Sequence, residues 1–152
     1  MARIRNKPRG AYLEQRTTVR VRFHEVDSLR IVWHGHYLTY FEDARVALGD
    51  KYGLGYMDFL HAGLLAPVIH VSCDYARPAS FLDELEITGR IYRQDSSKLQ
   101  YYFEVKRPKD GVFLASGQTV HALTDMNGTL CLTLPPFMRE FYASWEAEFQ
   151  HE

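Results

Sequence analysis

A chain of 152 residues, 46% hydrophobic and 24% charged, is the size of one compact domain and can bury roughly 68–70% of its unfolded surface, which excludes disorder throughout. The formal charge is −1, but Arg3, Arg5, Lys7 and Arg9 open the chain without an acid, and the rest carries 14 basic against 19 acidic residues, too few cations for a nucleic-acid binder. No window reaches the roughly 18 apolar residues of a membrane span and no apolar run opens the chain as a secretory signal, so the expected compartment is the cytoplasm.

Residues 1–16 read as a polar, basic, poorly ordered leader, and 17–150 as a single domain. From Thr17 to Phe23, the apolar Val19, Val21 and Phe23 alternate with Arg20 and Arg22, the pattern of a strand with one dry face. After a loop from Glu25 to Val32, the residues Tyr37, Tyr40, Phe41, Ala44, Ala47 and Leu48 recur at helical spacing. They predict a helix of about 16 residues, some 24 Å long. Glu42 and Arg45 lie on its other side within reach of each other, and Gly53 suits its end. A weaker helical candidate, Tyr56 to His61, leads to Pro67. Then Ile69, Val71, Cys73 and Tyr75 alternate with polar residues as a second strand. The two thiols, Cys73 and Cys131, show no CxxC spacing and fit a reducing compartment as small buried side chains.

Strands three and four carry the clearest alternation: Leu85, Ile87 and Ile91 in one, Leu99, Tyr101, Phe103 and Val105 in the other. The turns at Asp95–Lys98 and Pro108–Gly111 are short and imply antiparallel neighbours. A fifth strand runs from about Phe113 to Thr124. Beyond Pro135 and Pro136, the stripe Phe137, Phe141, Trp145 and Phe149 predicts a terminal amphipathic helix. The implied fold class is α+β, an antiparallel sheet of five to six strands wrapped around one long central helix. A ferredoxin-like arrangement would need a second helix between the later strands, where only hairpin turns occur.

The stretch from Val19 to Arg45, VRVRFHEVDSLRIVWHGHYLTYFEDAR, resembles the hotdog-fold acyl-CoA thioesterases of the 4-hydroxybenzoyl-CoA thioesterase and YbgC type. Asp27, Val32, Trp33, His34, Tyr37, Phe41, Glu42 and Arg45 fall in register with the pattern of that family. Tyr75, Pro78, Asp83 and Leu134-Pro135 extend the likeness over nearly all residues after 17. Three departures stand out: Arg30 occupies a usual Gly position, His36 a usual Asn, and Phe23 a frequent Tyr. Arg30 matters most, since Gly takes positive φ freely and Arg does not, so the loop is expected to differ or to be strained.

The resemblance implies hydrolysis of acyl-CoA to free acid and CoA, with Asp27 and His34 as the catalytic pair and sites built between subunits of a dimer or tetramer, with a homotetramer expected. Elementary chemistry agrees. A thiol with a pKa near that of cysteine, about 8.5, leaves with little help from an acid, so the site needs only a nucleophile or base and donors for the oxyanion. Asp27 precedes a helix N-terminus, where the backbone amides of His34 and Gly35 are expected to polarise the carbonyl. Asp27 acts either as nucleophile or as general base, and the sequence leaves both open. Asp27 and His34 also have the bland reading of helix caps, and Glu42 that of a partner for Arg45.

Tyr37, Glu42, Arg77 and Arg90 are the candidate substrate-binding residues, with Arg93 and Lys98 as further candidates for the coenzyme phosphates. No cofactor is expected, because coenzyme A is part of the substrate. No metal is expected either: His34 and His36, two apart on a helix, point to different sides. An acyl carrier protein in place of free coenzyme A stays open, as does a non-hydrolytic module that binds acyl-CoA or acyl carrier protein on the same fold.

Overall fold

The computed structural model describes residues 7–148, with side chains through residue 146. Five strands, β1 (Tyr12–Arg20), β2 (Val68–Tyr75), β3 (Glu84–Tyr92), β4 (Lys98–Arg107) and β5 (Val112–Ala122), form one antiparallel sheet in the order β1-β3-β4-β5-β2. Three helices, α1 (His36–Tyr52), α2 (Tyr56–His61) and α3 (Pro136–Glu148), complete it. The α+β arrangement expected from the sequence is the one found, with α1 lying against the face of the sheet.

Register decides which side chains meet the helix. Phe103 pairs with Gly117 and Tyr101 with Thr119 across β4 and β5, while Ile87 pairs with Val105 and Ile91 with Tyr101 across β3 and β4. These inward residues are buried, as are Tyr40, Phe41, Ala44 and Leu48 of α1, so a helical stripe with period 3.6 meets strands with period 2. Phe41 stacks on Phe103 with centroids 4.9 Å apart. The close approach needs Gly117: a Cβ there would sit 2.4 Å from the Phe41 ring and 2.5 Å from the Ser72 carbonyl oxygen. At its far end α1 stops in the expected way, with Gly53 at φ 75° donating its N–H to the Gly49 carbonyl.

β1 differs from expectation at both ends. It begins at Tyr12, so residues 12–16 belong to the sheet rather than to a leader; Met1–Asn6 lie outside the described residues. Leu13 is its buried contact, and Glu14 faces the other side, pairing with Arg90 at 3.2 Å. A single apolar residue among polar ones gives no alternating signal, which is why the sequence reading started the strand late. β1 stops at Arg20, because the buried Glu25 carboxylate accepts the Arg22 N–H at 2.7 Å and curls Phe23–Glu25 into one 3-10 turn. Phe23, expected on the dry face, is therefore 77% exposed. In α3 the buried face is Met138, Tyr142 and Trp145, with Phe137 and Phe141 partly buried beside it; Phe149 lies outside the described residues.

Candidate active site

The site begins with a short hairpin. Val26 bridges Val32, the Asp27 N–H donates to the Ile31 carbonyl at 2.9 Å, and the Arg30 N–H donates to the Asp27 carbonyl at 2.9 Å. One carboxylate oxygen of Asp27, Oδ1, accepts the Leu29 N–H at 2.7 Å, a side-chain turn that fixes the carboxylate's direction. Among the described residues Oδ2 enters no hydrogen bond. Closing this loop requires φ 65° at Arg30, so the expected strain is present and the turn is nonetheless intact.

Three anchors hold the hairpin. The Val32 N–H donates to the Ala79 carbonyl at 2.9 Å, Ile31 bridges Ser80, and the Trp33 N–H donates to the Glu25 carbonyl at 2.9 Å. Glu25 is 1% exposed, and its carboxylate also accepts the Tyr40 hydroxyl at 3.2 Å, tying the loop to α1. Such a buried acid is tolerated because its oxygens are satisfied. With Glu25 beside it and the ring desolvated, the Tyr40 phenol is pushed well above its ordinary pKa, desolvation being the larger cause, so it stays a donor.

The chain then enters α1 through Trp33–Gly35. The His36 N–H donates to the Trp33 carbonyl at 3.0 Å; no backbone hydrogen bond among the described residues outside helices and strands takes the amides of His34 and Gly35. Two helix-entry donors are thus unclaimed, at the end of α1 that carries the positive dipole. The Trp33 ring folds over Gly35, where a Cβ would lie 2.1 Å from it. Tyr75, at the end of β2, donates its hydroxyl to the His34 carbonyl at 2.8 Å. Desolvation first, then Cys73 and Tyr37, raises the Tyr75 phenol's pKa and keeps the proton on that donor. Tyr37 is 2% exposed, accepts the Ala79 N–H at 3.3 Å, and meets the Tyr75 ring edge-on at 5.2 Å; its phenol is raised as well, chiefly by burial.

Asp27, His34, Tyr37, Tyr75 and Arg77 line one open cavity of about 330 Å³. Of the residues singled out in the sequence, the fold gathers Asp27, His34, Tyr37 and Arg77 there, with Gly35 in the adjoining turn. Glu42 lies outside that lining, bound to Arg45 at 3.1 Å. Arg90 is on the opposite face of the sheet, bonded to Glu14 and 4.2 Å from the Tyr12 ring centroid. Arg93 pairs with Glu146, and Lys98 opens β4 away from the cavity. His34 and His36 both pack near Trp33, at 4.9 and 5.4 Å. No group of three His, Cys, Asp or Glu side chains gathers to hold a metal among the described residues, and no helix there is long and apolar enough to cross a membrane.

Sequence reasoning missed the roles of Tyr75 and Glu25. Tyr75 carried a signal: its alternation in β2 puts it on the same face as Cys73 and Val71, toward α1. Glu25 carried a weaker one, three residues after Arg22.

An antiparallel sheet closed over one long helix is the hotdog arrangement. The pattern of the Thioesterase-like superfamily matches residues 21–142, and the chain belongs to that family. It is similar to a Synechocystis sp. protein named "Putative esterase sll0410", with 28% identity over 80% of this chain and 74% of the relative. It is also similar to the Bacillus subtilis protein named "Putative acyl-CoA thioesterase YneP", with 29% identity over 59% of this chain and 65% of the relative. Among solved structures, hypothetical protein TT1821 from Thermus thermophilus superposes with a TM-score of 0.75 at 28% identity, covering 86% of this chain and 97% of that one.

Proposed function

We propose that this chain hydrolyses acyl-CoA thioesters in the Asp27 cavity. One observation carries the reading: a carboxylate oxygen left free of hydrogen bonds shares the cavity with the turn whose two helix-entry amides are unclaimed. Membership of the Thioesterase-like superfamily and the names of its relatives support it.

In this mechanism the thioester carbonyl oxygen settles against the amides of His34 and Gly35. Asp27 then takes a proton from water as that water adds to the carbon, or adds its own oxygen to form a mixed anhydride. In either course the C–S bond breaks and the thiolate leaves with the bonding pair. Water cleaves the anhydride in the second course, returning Asp27 as carboxylate. His34, exposed at the rim with its ring 6.4 Å from that of Tyr75, orients water or the carbonyl. Arg30 holds the turn closed at φ 65°, so the loop that carries Asp27 is formed as a hydrolase needs it, which favours hydrolysis over a binding-only module.

Thiol release from a panel of acyl-CoA substrates, with acyl carrier protein thioesters as a second arm, tests the reading. Asp27→Asn is expected to lower kcat by roughly 10²–10⁴ with the fold unchanged. Full activity in that variant sinks the assignment. In a single turnover in ¹⁸O water, label in the Asp27 carboxylate marks an anhydride opened at the Asp27 carbonyl, whereas opening at the substrate's acyl carbon, like the general-base course, puts the label in the product acid alone.

Assembly follows from the sheet. β2 is an edge strand that exposes Val68, Ile69, Val71 and Tyr75 by 42–53%, a long apolar edge of the kind that pairs with another chain. We propose that two copies associate there, as a dimer or within a tetramer; a monomer by light scattering at micromolar concentration rejects this.

A further inference from the structure

β2 closes one side of the sheet. It pairs with β5 alone, so the N–H and C=O groups of alternate residues along it point away from the sheet. Its two faces differ in chemistry. Val71 pairs with Thr119, Cys73 with Gly117 and Tyr75 with Ala115, which turns these three toward α1, and Ile69 takes the same side by alternation from His70. On the face away from α1, His70, Ser72 and Asp74 pair with Val120, Gln118 and Ser116. His70 and Asp74 are exposed, and among the described residues neither side chain forms an ion pair.

Two copies of one strand that meet about a two-fold axis pair antiparallel, and each contact occurs twice. Because like faces must meet, the centre of symmetry falls on a residue and not between two. A centre at His70 or at Asp74 sets two identical titratable side chains against each other. A centre at Val71 puts Asp74 opposite Val68 and Tyr75 opposite Pro67, which has no N–H to give. A centre at Cys73 puts His70 opposite Ala76, past the end of β2 at Tyr75. A centre at Ser72 sets His70 against Asp74 on one face, and Val71 against Cys73 and Ile69 against Tyr75 on the other. Of these registers it alone gives both charged residues a partner of opposite sign.

We propose that two copies pair along β2 with Ser72 facing Ser72 of the partner subunit, each His70 meeting Asp74 of the partner subunit. This register rests on the association along β2 proposed above and owes nothing to hydrolysis. A cross-strand pair of opposite charge contributes modestly, but the symmetry doubles it, and every competing register forgoes both copies. The same alignment brings Ile69 of the partner subunit onto Tyr75, whose ring lines the cavity and whose hydroxyl holds the His34 carbonyl. The second copy thereby completes the outer side of that wall.

Single-cysteine chains test the register without any turnover. In a background carrying Cys73→Ser and Cys131→Ser, Ser72→Cys sets two thiols opposite each other with Cα atoms about 4.5–5.5 Å apart, within reach of a disulfide. Val71→Cys in that background, and a chain that keeps Cys73 as its one thiol, set theirs on a diagonal of about 8 Å, beyond that reach. With oxidised glutathione, Ser72→Cys is expected to cross-link roughly tenfold faster than either. Faster cross-linking at Val71→Cys or at Cys73 keeps the pairing along β2 and overturns the register; no cross-link in any of the three overturns both. Charge exchange gives an independent reading by sedimentation equilibrium at pH 6. His70→Asp and Asp74→His each turn two attractive contacts into repulsive ones and should raise the dimer Kd by roughly 5- to 30-fold. The double exchange H70D/D74H restores both contacts in swapped positions and should return the Kd to within about threefold of wild type. Single variants with the wild-type Kd, or a double exchange that recovers nothing while its circular dichroism stays that of the wild type, overturn the His70–Asp74 contact. A chain that cross-links at Ser72→Cys yet hydrolyses no acyl-CoA keeps the register and loses the enzyme.

Discussion

Replacing Tyr75 by Phe removes one hydroxyl and nothing else from the cavity wall. That hydroxyl donates to the His34 carbonyl at 2.8 Å. The same peptide unit carries the Gly35 N–H, and in a trans peptide the two groups point in opposite directions, so a bond at the oxygen both aims and polarises the amide. A neutral hydrogen bond is worth about 0.5–1.5 kcal/mol net, and loss of a whole oxyanion donor about 2.7–4 kcal/mol. In Tyr75→Phe the amide remains and only its aim and polarity suffer, so the lower figure applies to the barrier. At 1.4 kcal/mol per decade this predicts a fall in kcat of roughly 2- to 12-fold. KM should stay within about twofold, because a contact formed only as charge develops on the oxygen does not report in ground-state binding. Steady-state thiol release gives both constants, and a thermal melt should show a Tm loss of only about 2–4 °C per kcal/mol. Wild-type kcat in Tyr75→Phe, or a loss carried wholly by KM, would show that the His34–Gly35 peptide is not an oxyanion donor held by this tyrosine.

Gly117→Ala should be among the worst small substitutions in the sheet, because its Cβ meets both the Phe41 ring and the Ser72 backbone. Overpacking of this kind costs about 2–3 kcal/mol, a Tm loss of roughly 4–12 °C measurable by circular dichroism. Glu25→Gln keeps the shape but turns an amide toward the Arg22 N–H or the Tyr40 hydroxyl; a loss of about 1–3 kcal/mol in urea unfolding is expected, and a neutral result removes Glu25 as the anchor of the loop. His121 is fully buried, with Nδ1–H donating to the Ala66 carbonyl at 2.9 Å and Nε2 accepting from Thr119 at 3.1 Å, the neutral tautomer satisfied at both ends. Burial foremost, then Arg45, lowers its pKa against the opposing pull of the Ala66 carbonyl and Glu42. The unfolded chain therefore binds this proton more readily, and stability should fall as pH drops below about 6.5, by at most about 1.4 kcal/mol per pH unit for one proton. His121→Gln should flatten that part of the pH–stability curve; an unchanged slope assigns it to other groups.

Long, strongly patterned elements were legible in the chain itself. α1 was marked by a complete apolar stripe from Tyr37 to Leu48, and β3 and β4 by alternation that nothing interrupts. The proximity of Asp27 to His34 was legible because both lie in one short segment that turns back on itself before α1. What escaped had a tertiary cause. The first half of β1 is held by its register with β3 and by Glu14 meeting Arg90, a partner 76 residues away, and no local pattern shows that. Arg90 looked available for substrate because a period of two fixes that it faces away from Ile91 but not what stands on its side of the sheet. Tyr75 entered as a strand residue and as part of the family likeness, without a role, and its hydroxyl acquires a task when β2 ends beside the entrance to α1.

That junction has a consequence for how the molecule behaves in solution. The last residue of the sheet's uncovered border grips the peptide that opens the central helix, so whatever settles along that border also sets the height of that peptide. With the proposed pairing of two copies there, specific activity should rise with protein concentration as copies meet.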